Sequence, residues 1–517
     1  MFAVSLAYIL YNPLRVHHDC AMFLQVGSLL LDGRHLYVDV VDLNPPLISY
    51  LNMVPAAVSR ALGTHLIPTF LLGVWGLTIL SVAATRSMLR ATLDDDEAYV
   101  ADLIAIALAM FHAAVLRRNL YGQREHLFII AFWPYLALRY RRWQGGPVPL
   151  VGSLMGGALA GVAACLKPYF VAIAVAPELY WAWSRRTVRP WLNPETFAFA
   201  AAGLVYGVHF VVAPEPMRAA FFGRWLPLVA RGYHAYDMSL GRMLVGQTRL
   251  WLPAALSAVI LWITGSAKGA LAFARPVAVV AAMSVAVWFA QHKGWDYHAI
   301  PAESAAIVAV ALLIGAFLSA PVRRLVSSSD WAPAALFGAS AVMLVAFAAL
   351  AAVLAVQNRT AQQVAEQLRS TPAARAIARY SRPGDPVLFL ATSTTTPYPL
   401  LTQVERQPAS RFTEDFPIPL LYSDVSLRPG DVVHYRTSDA PEEERRFLAD
   451  LHADIDRFRP TMILIDNRDT CDWCPAGFGM YEYLQRNHFI AEALSRYRES
   501  GNVGTFVLYL PDRGQLR

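Results

Sequence analysis

The sequence predicts a mainly α, polytopic membrane protein whose last third forms a small α/β domain. Three observations predict it. Hydrophobic residues make up 56% of the 517 positions and charged residues only 16%, which is too apolar for an ordinary soluble enzyme. Apolar runs approaching the roughly 20 residues that span a bilayer recur up to position 356. Beyond it, helix-like and strand-like stretches alternate between polar, Pro-rich turns. Charge follows the same division. The net charge is +6, yet the stretch from Gln357 onward holds 19 Arg, no Lys and 21 acidic residues, about −2. The positive excess therefore sits in the membrane part, where it orients helices and meets anionic lipid; nucleic acid is a poor partner for it.

The first apolar segment runs from Met1 to about Val16, about 24 Å at 1.5 Å per residue. It has neither a basic leader nor a small-residue cleavage site, so it reads as a first membrane helix rather than a cleavable signal. Next comes HHDCAMFLQVGSLLLDGRHLYVDVVDLNPP, from His17 to Pro46. It opens on His17, His18 and Asp19, continues as an amphipathic run from Ala21 to Leu31 suited to the bilayer surface, and closes on Asp39, Asp42 and Pro45–Pro46. Further spans are expected near 66–85, 98–116, 127–138, 148–166, 168–184, 196–213, 251–266, 276–290, 300–319 and 332–356, about eleven in all.

Two kinds of connection alternate. Short basic ones carry Arg86/Arg90, Arg139/Arg141/Arg142, Arg185/Arg186/Arg189, Lys268/Arg275 and Arg323/Arg324. The long loops are 15–65 and 215–250, with 117–126 and 291–299 on the same side. The density of basic residues assigns the short set to the cytoplasm. The N-terminus is then inside, and an odd number of spans puts the tail outside. The domains expected are 1–356, transmembrane with the outer loop 15–65, and 357–517, a soluble extracytoplasmic α/β domain. In that tail QQVAEQLRSTPAARAIARY reads as helix, and PVLFLAT, DVVHYR, TMILIDNR and TFVLYLP read as strands. It carries no phosphate-cradling Gly loop and no nucleophile elbow. Cys471 and Cys474 form a lone CxxC without the second ligand pair of a structural zinc site. In an oxidising compartment a local disulfide is the expectation.

Charge at membrane depth is expensive, so charged residues at span ends need a reason to be there. Under this topology the unusual clusters share the outer face: His17–His18–Asp19, Asp39/Asp42, Arg117–Arg118 with GQREHL from Gly122 to Leu127, Lys167–Pro168, and QHKGWDYHAIP from Gln291 to Pro301. Only three lysines exist, and Lys167 and Lys293 are two of them. An acid, a base and cations from separate helices on one surface are the elements of an active site.

Asp19, the run to Gly33, Tyr37, Asp42, Pro45 and Pro46 resemble the first outer loop of GT-C membrane glycosyltransferases, among them protein O-mannosyltransferases and lipid A aminoarabinose transferases. YHAIPA resembles the segment that opens a late helix in the same group. The chain departs by having Asn44 where a lysine often precedes the Pro pair, and by the elaborated GQREHL with Glu125 as second acid. The resemblance implies a GT-C-like fold in a bacterial inner membrane. It also implies a polyprenyl-phosphate-linked sugar as donor, and an acceptor that is an envelope glycan, lipid or protein.

The chemistry assigns roles. An acceptor hydroxyl must lose its proton as it attacks the anomeric carbon, a task for a carboxylate such as Asp19, with Glu125 as the second catalytic acid. The leaving lipid phosphate needs cations or donors: Arg124, Lys167, Lys293 and His298. His18, Asp42, His126 and Tyr297 are the expected substrate contacts. Neighbouring His17, His18 and Asp19 fit one metal ion poorly, so no metal and no cofactor is expected. The rival readings are a transporter or flippase of a lipid-linked sugar, and a ligase or polymerase of lipid-linked oligosaccharide. No internal repeat of the kind common in transporters is visible.

Overall fold

The computed structural model describes residues 1–266, 270–326, 360–425 and 435–512. It divides into two compact units. The first comprises Met1–Tyr11, Phe70–Val211 and Met238–Gln357; the second comprises Asn12–Thr69, Val212–Asp237 and Asn358–Arg517.

In chain order the helices are α1 Phe2–Tyr11, α2 His18–Leu31, α3 Leu47–Leu62, α4 Leu66–Arg90, α5 Tyr99–Arg117, α6 Arg124–Trp143 and α7 Leu150–Ala164. They continue with α8 Pro168–Arg185, α9 Pro194–Val212, the short α10 Glu215–Ala220 and α11 Leu226–Gly232, then α12 Thr248–Thr264, α13 Ala274–Ala290 and α14 Ile300–Val326. The nine apolar runs expected from 66–85 to 300–319 fall on α4–α9 and α12–α14; the run 332–356 lies outside the described residues, as does Lys268.

Length and composition single out part of these helices as candidate crossings. Five helical stretches among the described residues are long and apolar enough to cross a membrane: Leu66–Arg90, Tyr99–Arg117, Pro194–Val212, Ala270–Ala290 and Asp296–Leu318. Helices α7 and α12, at 15 and 17 residues, fall short of the roughly 20 a span needs, while α6 carries Arg124, Glu125, Arg139, Arg141 and Arg142. Helix α1 has only 10 residues, ending ahead of Pro13, so the first apolar helix is shorter than the run Met1–Val16.

Within the first unit α13 packs against α12, α14 and α8, and α14 against α5. Helix α7 reaches α9 through Gly157: a Cβ there would strike the Glu195 backbone, so only glycine lets the two helices come this close. Pro168 starts α8 at the position where a missing N–H costs nothing.

The second unit is an α/β layer with the first outer loop folded into it. Its five-stranded sheet has the order β2-β1-β3-β5-β4, with β1 Pro386–Leu390, β2 Gln407–Pro408, β3 Met462–Asp466, β4 Tyr497–Val503 and β5 Phe506–Pro511. Strand β1 runs parallel to β2 and β3; β5 is antiparallel to β3 and β4. All five residues of β3 are buried, as a strand covered on both faces requires. Of the expected strands, PVLFLAT, TMILIDNR and TFVLYLP are β1, β3 and β5; DVVHYR falls largely outside the described residues. The charged β4, YRESGNV, has no alternation to betray it and is an edge strand guarded by charge. The helix stretch breaks at Thr371, whose hydroxyl caps the Ala374 N–H, giving Thr360–Ser370 and Pro372–Tyr380. Cys471 and Cys474 are joined by a disulfide.

The loop 15–65, expected with the membrane domain, clusters with this tail. Helix α2 packs on α3, and nine of its 14 residues are buried, so it is a core helix rather than one spread on the bilayer surface. The Thr402 hydroxyl donates to Ala21 O at 3.1 Å, and Gln25 donates to Gln407 at 3.1 Å. Val41 bridges Phe412 in parallel: Val41 N–H donates to Arg411 O at 2.6 Å, and Thr413 N–H to Val41 O at 3.2 Å.

Candidate active site

The chemistry-bearing residues form two groups, one in each unit. In the first unit the turn before α6 sets the geometry. Gly122 adopts φ 83°, and a Cβ there would collide with the Phe70 ring. The Gly122 N–H donates to His126 Nδ1 at 3.1 Å, which puts the His126 proton on Nε2, facing His112 Nδ1 at 2.9 Å. Both nitrogens of the fully buried His126 are thereby engaged by protein. That leaves no nitrogen for a substrate: this histidine, expected to touch one, holds the turn that aims Arg124 and Glu125 instead.

Glu125 is fully buried. Its Oε1 accepts from Lys167 Nζ at 2.5 Å, and the same ammonium donates to His298 Nε2 at 2.9 Å. His298 Nε2 lies 3.6 Å from Glu125 Oε1. Because an ammonium only donates, His298 accepts through Nε2 and carries its proton on Nδ1. Two sealed atoms of this group have no hydrogen-bond partner among the described residues: Glu125 Oε2 and His298 Nδ1. Lys167 also lies 5.5 Å from the centre of the Tyr297 ring. The charges of Lys167, Arg124 and Lys293 all bear on His298. Four residues named from sequence (Arg124, Glu125, Lys167 and Lys293) thus gather around a fifth, His298, with Tyr297 beside them. Their supports are separate: the start of α6, the residue before α8, and the turn Asp296–Ala299 before α14. Arg118, named in the same outer cluster, pairs with Glu303 at 2.7 Å and Asp296 at 3.7 Å.

In the second unit His17 caps α2, its Nδ1 accepting from the Asp19 N–H at 3.2 Å. Asp19 lies in the first turn, where the helix dipole favours a carboxylate; His18 Nε2 approaches its Oδ1 at 3.4 Å. One donor atom from each of His17, His18 and Asp19 lies within 4.8 Å of the others, the donor set that a cation could use. Asp42 is buried and its Oδ1 accepts from the backbone and side-chain nitrogens of Asn44 at 3.2 and 2.7 Å. The asparagine that departs from the family pattern therefore anchors this acid. Asp39 is held down to about 2: against the penalty of its own desolvation, the His35 N–H and the Arg457 guanidinium stabilise its charge.

Sequence reasoning missed Glu414. The Val41–Phe412 bridge carries it to the first loop. Glu414 is half-buried as a residue but its Oε2 is sealed from solvent. Burial, then the charges of Asp42 and Asp19, push it up to about 8. Nothing in the local sequence RFTEDF distinguishes it; only the pairing of segments 372 residues apart does. Also missed was a second ionic group in the first unit. Arg139, fully buried, forks onto Glu178 at 2.7 and 2.8 Å and reaches Glu195 at 2.9 Å. Glu195 takes Arg142 at 3.0 Å, and Glu178 accepts from Trp143 and Trp191, each at 3.1 Å. Arg139 and Arg142, counted above as loop charges that orient helices, are members of this network. The readable signal was two acids inside apolar helices.

No family model matches this sequence, and no curated protein is similar to it. A solved structure is: ArnT from Cupriavidus metallidurans in the apo state, aligned over 98% of this chain and 96% of its own with a TM-score of 0.50 and 16% identity. The chain has a GT-C-like fold.

Proposed function

We propose that this protein is a polytopic membrane glycosyltransferase that moves a sugar from a polyprenyl-phosphate donor to a hydroxyl, with inversion, on the extracytoplasmic face. The observation that carries the reading is the buried group of Glu125, Lys167 and His298, on which the charges of Arg124 and Lys293 also bear. Cations with sealed, unsatisfied polar atoms among them suit a ligand that brings negative charge and both donors and acceptors, such as a sugar phosphate. The likeness to ArnT, a lipid A aminoarabinose transferase, supports the same class. The disulfide Cys471–Cys474 favours an oxidising compartment for the tail.

In this reading the Asp19 carboxylate takes the proton of the acceptor hydroxyl. The freed oxygen forms a bond to the anomeric carbon, the bond from that carbon to phosphate oxygen breaks, and its electron pair leaves on the lipid phosphate. Lys167, Arg124, Lys293 and the His298 Nδ1–H stabilise that charge. Glu125 holds Lys167 in place and keeps Oε2 for a sugar hydroxyl. No metal takes part in this scheme. The test uses purified full-length protein and a radiolabelled polyprenyl-phosphate-linked sugar, following release of the polyprenyl phosphate. Asp19→Asn should lower turnover by about 10³-fold or more. Turnover near the wild-type rate would remove Asp19 from the chemistry.

A further inference from the structure

The second unit contains a cavity of about 700 Å³, a size typical of small-ligand pockets, that takes no part in the proposed transfer. Its wall is formed by the end of the helix Pro372–Tyr380, the end of the helix Glu442–Phe458 and the outer strand β4. Four arginines line it, Arg379, Arg459, Arg496 and Arg498, together with Tyr380 and Tyr497. The stretch from Gln357 onward is slightly acidic overall, so four guanidinium groups around one hollow are a local reversal of charge.

Two carboxylates, Asp456 and Glu499, also line the hollow, but both are already engaged. Asp456 pairs with Arg496 at 3.2 Å, and Glu499 accepts from the Tyr509 hydroxyl at 3.3 Å. The other three arginines have no carboxylate partner among the described residues. Arg379 lies over the Tyr380 ring at 5.2 Å, and Arg459 ends its helix in the left-handed conformation at φ 46°. Were β4 charged only to guard a sheet edge, mixed charges would serve, and nothing would gather arginines from two helices beside it. Guanidinium forks match phosphate and carboxylate oxygens two at a time, and tyrosine rings offer faces to sugar C–H groups.

We propose that this cavity is a binding site for an anionic saccharide, one bearing phosphate or carboxylate groups. It does not depend on the transfer reading above. Such a ligand reaches the site either as a free or polymeric glycan or as the headgroup of a lipid, and the test separates the two. Full-length protein in nanodiscs of neutral phosphatidylcholine is titrated calorimetrically with glucose 1-phosphate, with glucuronic acid and with uncharged glucose. Parallel samples use nanodiscs containing a phosphorylated glycolipid, with binding of soluble glucose 1-phosphate read as competition.

The expected result is saturable binding of the two anionic sugars, no binding of glucose, and at least a tenfold weaker affinity in the triple variant Arg379→Ala/Arg459→Ala/Arg498→Ala. Loss of glucose 1-phosphate binding only in glycolipid nanodiscs assigns the headgroup as occupant; unchanged binding assigns the free glycan. A control variant, Arg445→Ala/Arg446→Ala, removes exposed arginines on the same domain that pair with Glu442. These side chains are exposed, so folding is little affected, and circular dichroism of the variants checks it. Equal affinity of the triple variant and wild type, an equal loss in the control, or equal binding of glucose would each overturn the assignment.

Discussion

Helices α6 and α8 carry two buried ionic groups, one near each end, and the contrast between them is instructive. At one end Arg139 and Arg142 face Glu178 and Glu195: two positive and two negative charges, with no unsatisfied buried side-chain atom of theirs among the described residues. At the other end Glu125 and Lys167 meet His298, and Glu125 Oε2 and His298 Nδ1 stay unsatisfied. A closed, neutral network has nothing left to offer a ligand; its role is to hold α6, α8 and α9 together. An ionic group that leaves sealed polar atoms open costs stability unless something binds there. The difference separates scaffold from site more sharply than burial or charge alone, since both groups are buried and both are charged.

Four variants break or sharpen this contrast. The largest effect is expected at the closed network. Arg139→Met leaves Glu178 and Glu195 short of their partner and should cost about 3–5 kcal/mol of stability, read as a drop in unfolding midpoint in detergent. An unchanged midpoint would mean the network is not structural. At the open group Lys167→Ala should lower sugar transfer by about 10²-fold or more. Polyprenyl phosphate at about 100 times its Kd should stabilise the wild type by about 2.7 kcal/mol, and this gain should vanish in Lys167→Ala. A gain of equal size in both proteins would place the phosphate elsewhere.

A smaller effect is expected at His126, which joins the open group to its scaffold. His126→Phe removes the acceptor of the Gly122 N–H and should cost about 1–3 kcal/mol while leaving the phosphate-induced stabilisation reduced, not abolished. Complete loss of that stabilisation would return His126 to the ligand-contacting residues. The smallest concerns Glu414, the half-buried acid of the second unit. Its folded value of about 8 lies above the ordinary carboxylate range, so the folded state binds more protons than the unfolded state between about pH 5 and 8. Stability must therefore fall as pH rises through that window and level off above it. Discounting for solvent, the fall should be about 1–2 kcal/mol, and Glu414→Gln should flatten it. A pH profile identical in variant and wild type would show that another group titrates.

Much of this was legible in the letters. Apolar length fixed nine helices, because a span must satisfy its own backbone and so announces itself as a run. Arg124, Glu125, Lys167, Lys293 and His298 were recognisable because charge at a helix end in an apolar chain is costly enough to stand out. Apolar runs between polar turns gave β1, β3 and β5, which are largely buried, but not the charged edge strand β4. The partnerships stayed hidden. His126 looked like a ligand until His112 and Gly122 took its two nitrogens, and Arg139 looked like a loop charge until Glu178 and Glu195 closed around it. Glu414 was one acid in a polar stretch until Phe412 paired with Val41. Sequence by itself determined where charge and hydrophobicity lie, since those are properties of single residues and their local period. Tertiary structure alone decided which polar atoms are satisfied, because a hydrogen bond joins two residues that the chain can hold hundreds of positions apart.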